Sequence, residues 1–211
     1  FKQDPREEKV NLSIGIYSDK NGKVPVLKAV AKAEAFLFEN PTPKVYLPMS
    51  GLGSYIDCVQ KLLFTKDHAL YEEKRLATVQ SLGGTGALKV GADFLHTIVP
   101  NSKVYVSNPT WSNHIAIFEG AGFEVEDYPY FDETTKGVAF DAFIEKMKSI
   151  PEESIVVLHA CCHNPTGADL STAQWQEVAD LFKERNLIPF LDMAYQGFSK
   201  GILEDAAAIH T

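Results

Sequence analysis

The 211-residue chain lacks several things, and each shortage excludes a class of protein. Cysteine is scarce: three residues, at 58, 161 and 162, do not make a disulfide framework. That usage fits a reduced, cytoplasmic protein. No apolar run reaches the ~20 residues of a membrane span, and the opening FKQDPREEKV is too polar for a secretory signal. Basic residues are outnumbered, with 20 Lys and Arg against 28 Asp and Glu and a formal charge of −8. A surface built to neutralise nucleic-acid phosphates is therefore not expected. Internal repeats and low-complexity linkers are missing. So are two nucleotide signatures: G-x-x-x-x-G-K-[ST] does not occur, and the third glycine of G-x-G-x-x-G, counted from Gly84, falls on Lys89.

What is present is a globular core, since 45% of residues are hydrophobic and 23% charged. After residue 75, strand-like runs alternate with amphipathic helical runs. ATVQSL (77–82), KVYVSN (103–108), FEVEDYPYF (123–131), SIVVLHA (154–160) and LIPFLDMAY (187–195) read as strands. Helices of this length between them predict an α/β fold with parallel strands covered on both faces. Ser171 with Gln174 forms a capping box, and Trp175, Val178, Ala179 and Phe182 then line one helical face. Upstream, Pro25 suits a first helical turn, which NPTP (40–43) ends. Residues 1–22, closing in the turn DKNG, read as a segment that packs on a main body formed by 23–211.

Several strand ends carry residues with chemical potential, and ligands of open α/β sheets sit there. In LGGTGALKV (82–90), glycines at a helix N-terminus with Thr85 beside them suit a phosphate; close strand–helix packing is the plain alternative. In SNPTWSNH (107–114), Trp111 can stack on a planar ring or cover the core edge, and His114 alone reads as structural. In IPFLDMAYQGF (188–198), Asp192 ends an apolar strand, where a carboxylate needs a cation or several donors. Tyr195 brings a phenol to the same edge.

HACCHNPTGADL (159–170) looks like a metal site at first reading. Zinc cysteines are normally two to four residues apart. If the strand continues, the adjacent Cys161 and Cys162 point to opposite faces, and His159, Cys161 and His163 share a face without a fourth ligand. No metal is expected, and the thiols read as packing residues. NPTG (164–167) reads as a turn that holds the Asn164 amide at the strand end.

Together CCHNPTG, GGTGAL, SNPTWSNH and AYQGF resemble the class I, fold-type I aminotransferases that use pyridoxal 5′-phosphate (PLP). NLSIGIY, YLPMSGL and GAGFEVEDYPYFDE are most similar to the bacterial aromatic (tyrosine) branch of the aspartate and aromatic aminotransferase family. The resemblance runs through essentially the whole chain and covers the N-terminal half of a family member. It implies a fold-type I sheet sandwiched by helices, with the large PLP domain incomplete. It also implies an amino acid and a 2-oxo acid as substrates, and a homodimer with neither membrane nor nucleic-acid partner.

The family's roles map residue by residue. Gly84 and Thr85 would hold the cofactor phosphate, joined by Tyr46 reaching the partner subunit's cofactor. Trp111 would stack on the pyridine ring. Asp192 would face its nitrogen, with His114 behind it. Asn164 and Tyr195 would bind the phenolate oxygen. Gly15, Trp111 and Asn164 would bind substrate. The Schiff-base lysine is expected beyond residue 211. Lys200, in FSKGI, reads as a surface residue, so no catalytic lysine is expected within the chain. Three alternatives stand: a catalytically silent PLP-fold module, a zinc protein built on HACCH, and a Rossmann-like enzyme. The last lacks an acidic ribose ligand at Asn108.

Overall fold

The computed structural model describes all residues except 7, 10, 12–14, 65 and 66. The apolar stretch 10–17 lies partly outside them. Two compact units are present, residues 1–46 and 47–211. Their boundary lies later than the one placed after residue 22 from the DKNG turn. In the first unit, that turn closes through Gly22 N–H to the Asp19 carbonyl (2.9 Å). One helix follows, α1 (Lys28–Glu39). It starts three residues after Pro25 rather than on it, and its Asn40 cap bonds back to the Phe36 carbonyl.

The second unit begins with α2 (Gly53–Phe64), the single turn α3 (Ala69–Glu72) and α4 (Gly83–Ile98). Then come β1 (Val104–Asn108), α5 (Ser112–Glu119), β2 (Val125–Pro129), and the short β3 (Phe131–Asp132) and β4 (Gly137–Val138). The chain continues through α6 (Phe140–Ser149), β5 (Ile155–His159), α7 (Thr172–Glu184) and β6 (Ile188–Asp192) to a 3₁₀ turn and α8 (Ala207–His210). Four strands form one parallel sheet in the order β2-β1-β5-β6.

Side-chain alternation divides the core into two layers. Val104, Val106, Ile155 and Val157 face Leu88 and Ala92 of α4 and Phe118 of α5. Tyr105, Val156 and Leu158 face Phe143 and Met147 of α6 and Trp175 and Val178 of α7. The near-continuous VYV and IVVL runs thus arise because both faces are covered. Each fully buried Phe or Met contributes ~1.5–3 kcal/mol of hydrophobic stabilisation. The expected capping box fixes the start of α7: Ser171 Oγ accepts from Gln174 N–H (3.3 Å), and Gln174 Oε1 accepts from Ser171 N–H (2.9 Å). Between layers, α4 comes so close to β6 that a Cβ on Gly91 would lie 2.9 Å from the Phe190 ring.

One expected strand is not formed. Residues 77–82 are irregular, because a strand needs a neighbour and none pairs with this run among the described residues. Its polar groups bond to the α2 region instead: Gln80 N–H donates to the Ser50 carbonyl, and Gln60 Nε2 donates to Thr78 Oγ1, both at 2.9 Å. β6 is an outer strand of the sheet. Beside it an apolar groove of about 480 Å³ is lined by Leu158, Trp175, Phe182, Pro189 and Leu191.

Candidate active site

The parallel register brings three strand ends together. β5 ends at His159 and β6 at Asp192, and these two residues are paired neighbours. β1 ends at Asn108, and the following loop carries Thr110 and Trp111 before α5 presents His114. Asp192 Oδ2 lies 2.8 Å from Nε2 of the buried His114. His114 Nδ1 meets Thr110 Oγ1 at 2.9 Å, and the same hydroxyl meets His159 Nε2 at 3.2 Å. His159 Nδ1 accepts from the Asn164 backbone N–H at 3.3 Å.

Hydrogen counting orients this chain of contacts. Burial first, then the neighbouring His163 and His114 rings, pushes His159 down to about 3, so it is neutral near pH 7. Its Nδ1 accepts from Asn164, so its proton sits on Nε2 and is donated to Thr110. Thr110 Oγ1, with one hydrogen and two lone pairs, then links His159 to His114 Nδ1. On its other side His114 Nε2–H donates to Asp192. Trp111 closes the cluster edge-on against His114, with ring centroids 5.5 Å apart. Sequence reasoning placed His114 behind Asp192 but missed Thr110 and the bridging part of His159. The signal available was a hydroxyl and two imidazoles at the ends of β1 and β5.

The stretch after β5 differs from a continued strand. The strand stops at His159, and Cys162 takes a left-handed conformation with φ +50°. The two cysteine sulfurs therefore do not diverge: they and an Asp205 oxygen lie within 4.8 Å of one another. The His159 and His163 rings pack 4.1 Å apart, tilted by 38°, while Cys161 gathers with Cys162 and Asp205 instead. Chemistry nonetheless disfavours this trio as a metal centre. Burial pushes the Cys161 thiol up to about 12, and burial followed by Asp169 raises Cys162, so both are protonated near neutrality. Burial alone would raise the Asp205 carboxyl, but backbone N–H groups outweigh it. Gly197, Ser199 and Lys200 donate to its oxygens at 2.9–3.0 Å. The NPTG turn forms as expected, with Gly167 at φ +67° and its N–H on the His163 carbonyl (2.7 Å).

Among the described residues, several polar groups remain without a protein partner: Asp192 Oδ1, the Asn164 side-chain amide and the Tyr195 hydroxyl. Tyr195 is tied to this region by its carbonyl, 3.8 Å from Cys162 Sγ. Gly84 and Thr85 are exposed in the first turn of α4, where N–H groups have no intrahelical acceptor. A Cβ on Gly84 would meet nothing within 4 Å. No hydrogen bond links Gly84 or Thr85 to the Asp192 cluster among the described residues. Gly15 and Tyr46 belong to the first unit, where both are exposed. Lys200 is exposed, with its backbone N–H on Asp205.

Residues 7–211 match the family model for aminotransferase class I and II. The chain belongs to this family.

Its relatives sharpen the placement of this aminotransferase chain. It is 57% identical over 210 residues to the aromatic-amino-acid aminotransferase of Escherichia coli (strain K12), covering 99% of this chain and 53% of that protein. It is 48% identical over 209 residues to an aspartate aminotransferase of Pseudomonas aeruginosa, covering 99% and 52%. A solved aromatic-amino-acid aminotransferase from Burkholderia pseudomallei, covalently bound to pyridoxal phosphate, superposes with a TM-score of 0.93. It shares 51% identity, with 99% of this chain and 52% of that chain covered. The chain thus has the fold-type I architecture and spans about half the length of the relatives it matches. The residues present fit PLP. They offer open N–H groups for a phosphate, an indole, an unfilled carboxylate oxygen for a protonated ring nitrogen, and an amide and a phenol for a ring oxygen.

Proposed function

We propose that the whole protein is a PLP-dependent aminotransferase. It moves the α-amino group of an aromatic or dicarboxylic amino acid to a 2-oxo acid such as 2-oxoglutarate. The observation that carries this reading is Asp192: a half-buried carboxylate with one oxygen on His114 and the other without a protein partner. When bound, PLP supplies a ring that takes up the electrons released as the substrate Cα loses its proton. Asp192 holds the proton at the ring nitrogen, and His114 orients Asp192 through Nε2–H. Trp111 stacks on the ring and excludes water from one face. The Gly84 and Thr85 N–H groups and the Thr85 hydroxyl bind the phosphate at the helix N-terminus.

Asn164 and Tyr195 donate to the ring oxygen. Asn164, Trp111 and Gly15 line the substrate position. Tyr46 reaches the phosphate of the partner subunit in a homodimer, and the lysine that moves the Cα proton lies beyond residue 211. The protein works in the cytoplasm, where its three free thiols stay reduced. Higher identity to the aromatic relative than to the aspartate one, 57% against 48%, favours aromatic substrates.

The test is an absorbance titration of the full-length protein with PLP, then turnover of tyrosine and of aspartate with 2-oxoglutarate. Saturable PLP binding and faster tyrosine turnover are expected. A protein that binds PLP but turns over neither amino acid is a silent binding module, and this reading falls.

A further inference from the structure

Asp169 has no part in the roles above, yet it holds the chain immediately before Asn164. Its Oδ2 accepts from Cys162 N–H and its Oδ1 from His163 N–H, both at 2.8 Å. The next N–H, that of Asn164, goes to His159 Nδ1. Three successive backbone donors thus end on side-chain acceptors rather than on a neighbouring strand. Two of the three depend on one carboxylate. Cys162 is at φ +50°, a backbone state that a non-glycine residue holds only when its surroundings impose it. On the far side, the Tyr130 ring stacks on His163 at 4.1 Å, and the Tyr130 hydroxyl donates to the Ala168 carbonyl at 2.7 Å.

We propose that Asp169 is a positioning residue: by bracketing the Cys162 and His163 amides, it sets where the Asn164 side chain is offered to the ligand bound beside Asp192. The proposal rests on the reading of Asn164 as a cofactor ligand. The chemistry of the bracket requires a carboxylate. Two acceptor oxygens in one plane match two adjacent N–H donors. An amide keeps one acceptor and turns its own N–H₂ toward the second donor, so Asp169→Asn is damaging though nearly isosteric. The tilted loop should then present the Asn164 amide off-target without removing it.

The test uses the full-length protein in four variants: Asn164→Ala, Asp169→Asn, Asp169→Ala and the double Asn164→Ala/Asp169→Ala. PLP dissociation constants are read by absorbance titration. Amide exchange at Cys162 and His163 is read in the apoprotein. Losing one ligand hydrogen bond weakens PLP binding ~10-fold, and Asp169→Ala is expected to do about the same. The double variant is expected to bind within about twofold of Asn164→Ala, because the two residues act through one contact. Asp169→Asn should show part of the loss together with faster exchange of both amides.

Wild-type PLP affinity in both Asp169 variants, beside a weakened Asn164→Ala, overturns this proposal alone. So do penalties that multiply in the double variant. An unchanged affinity in Asn164→Ala overturns the Asn164 role itself, and this inference with it. If Asp169→Ala does not fold, Asp169→Asn and its exchange rates decide the matter.

Discussion

Lowering the pH from 7 to 5.5 should destabilise this fold by about 2–3 kcal/mol through His159 and His163 together. Both rings are buried. His159 is pushed down to about 3 and His163 to about 4, in each case first by burial and then by neighbouring imidazoles. An unfolded histidine titrates near 6.5. Below that value the unfolded chain takes up protons that the native rings refuse. Stability is therefore full above about pH 6.5 and falls as the solution is acidified. The loss levels off only near 4 for His163 and near 3 for His159. Each ring contributes roughly 1 kcal/mol between pH 7 and 5.5. Carboxylates of the unfolded chain titrate mostly below ~5, so this window isolates the imidazoles. The assay is urea unfolding of the apoprotein at pH 7, 6 and 5.5, for wild type and His159→Gln. The variant should be less stable at pH 7 but lose roughly 1 kcal/mol less on acidification. Equal acid sensitivity in the two proteins would refute the assignment of a neutral, proton-refusing His159.

Three further outcomes are expected. Gly91→Ala places a Cβ 2.9 Å from the Phe190 ring, which is itself packed edge-on against Phe118 at 5.1 Å. A loss of about 1–3 kcal/mol follows, read as a lower melting temperature; an unchanged one would mean that α4 moves away from β6 freely. Iodoacetamide at pH 7.5 should label the exposed Cys58 well before the buried Cys161, and Cys161→Ala should alter melting temperature rather than PLP affinity. Mass spectrometry and an absorbance titration check both, and activity that tracked the cysteines would reverse the roles given to Asn164 and its neighbours.

The parallel sheet was legible because VYV and IVVL are apolar on consecutive positions, a pattern that only a doubly covered strand sustains. The start of α7 was legible because its cap is local: Ser171 and Gln174 are three residues apart. ATVQSL misled for the opposite reason. Its composition suits a strand, but strand formation depends on a partner that composition does not specify. The start of α1 also shifted, since Pro25 satisfies a first-turn preference without compelling a helix. Within the site, placement was readable: Asp192 ends β6, and Trp111 and Asn164 follow the ends of β1 and β5. Their connections were not. Thr110 joins His114 to His159 across 49 residues of chain, and Asp169 acts on a turn whose left-handed Cys162 has no glycine or asparagine to signal it. Alternation along an extended strand separates two adjacent cysteines; one backbone torsion of the opposite sign undoes that inference.

The oriented contacts between Asn164 and Asp192 give the site a polarity. The His159 end of the row is fixed, because Nδ1 accepts from Asn164 N–H and leaves Nε2–H to face Thr110. At the other end Asp192 Oδ2 accepts from His114 Nε2–H at 2.8 Å. A ring nitrogen seated against its other oxygen would be favoured in the protonated form. A row of contacts that starts at a buried neutral imidazole thus ends on a carboxylate whose open oxygen favours a cation.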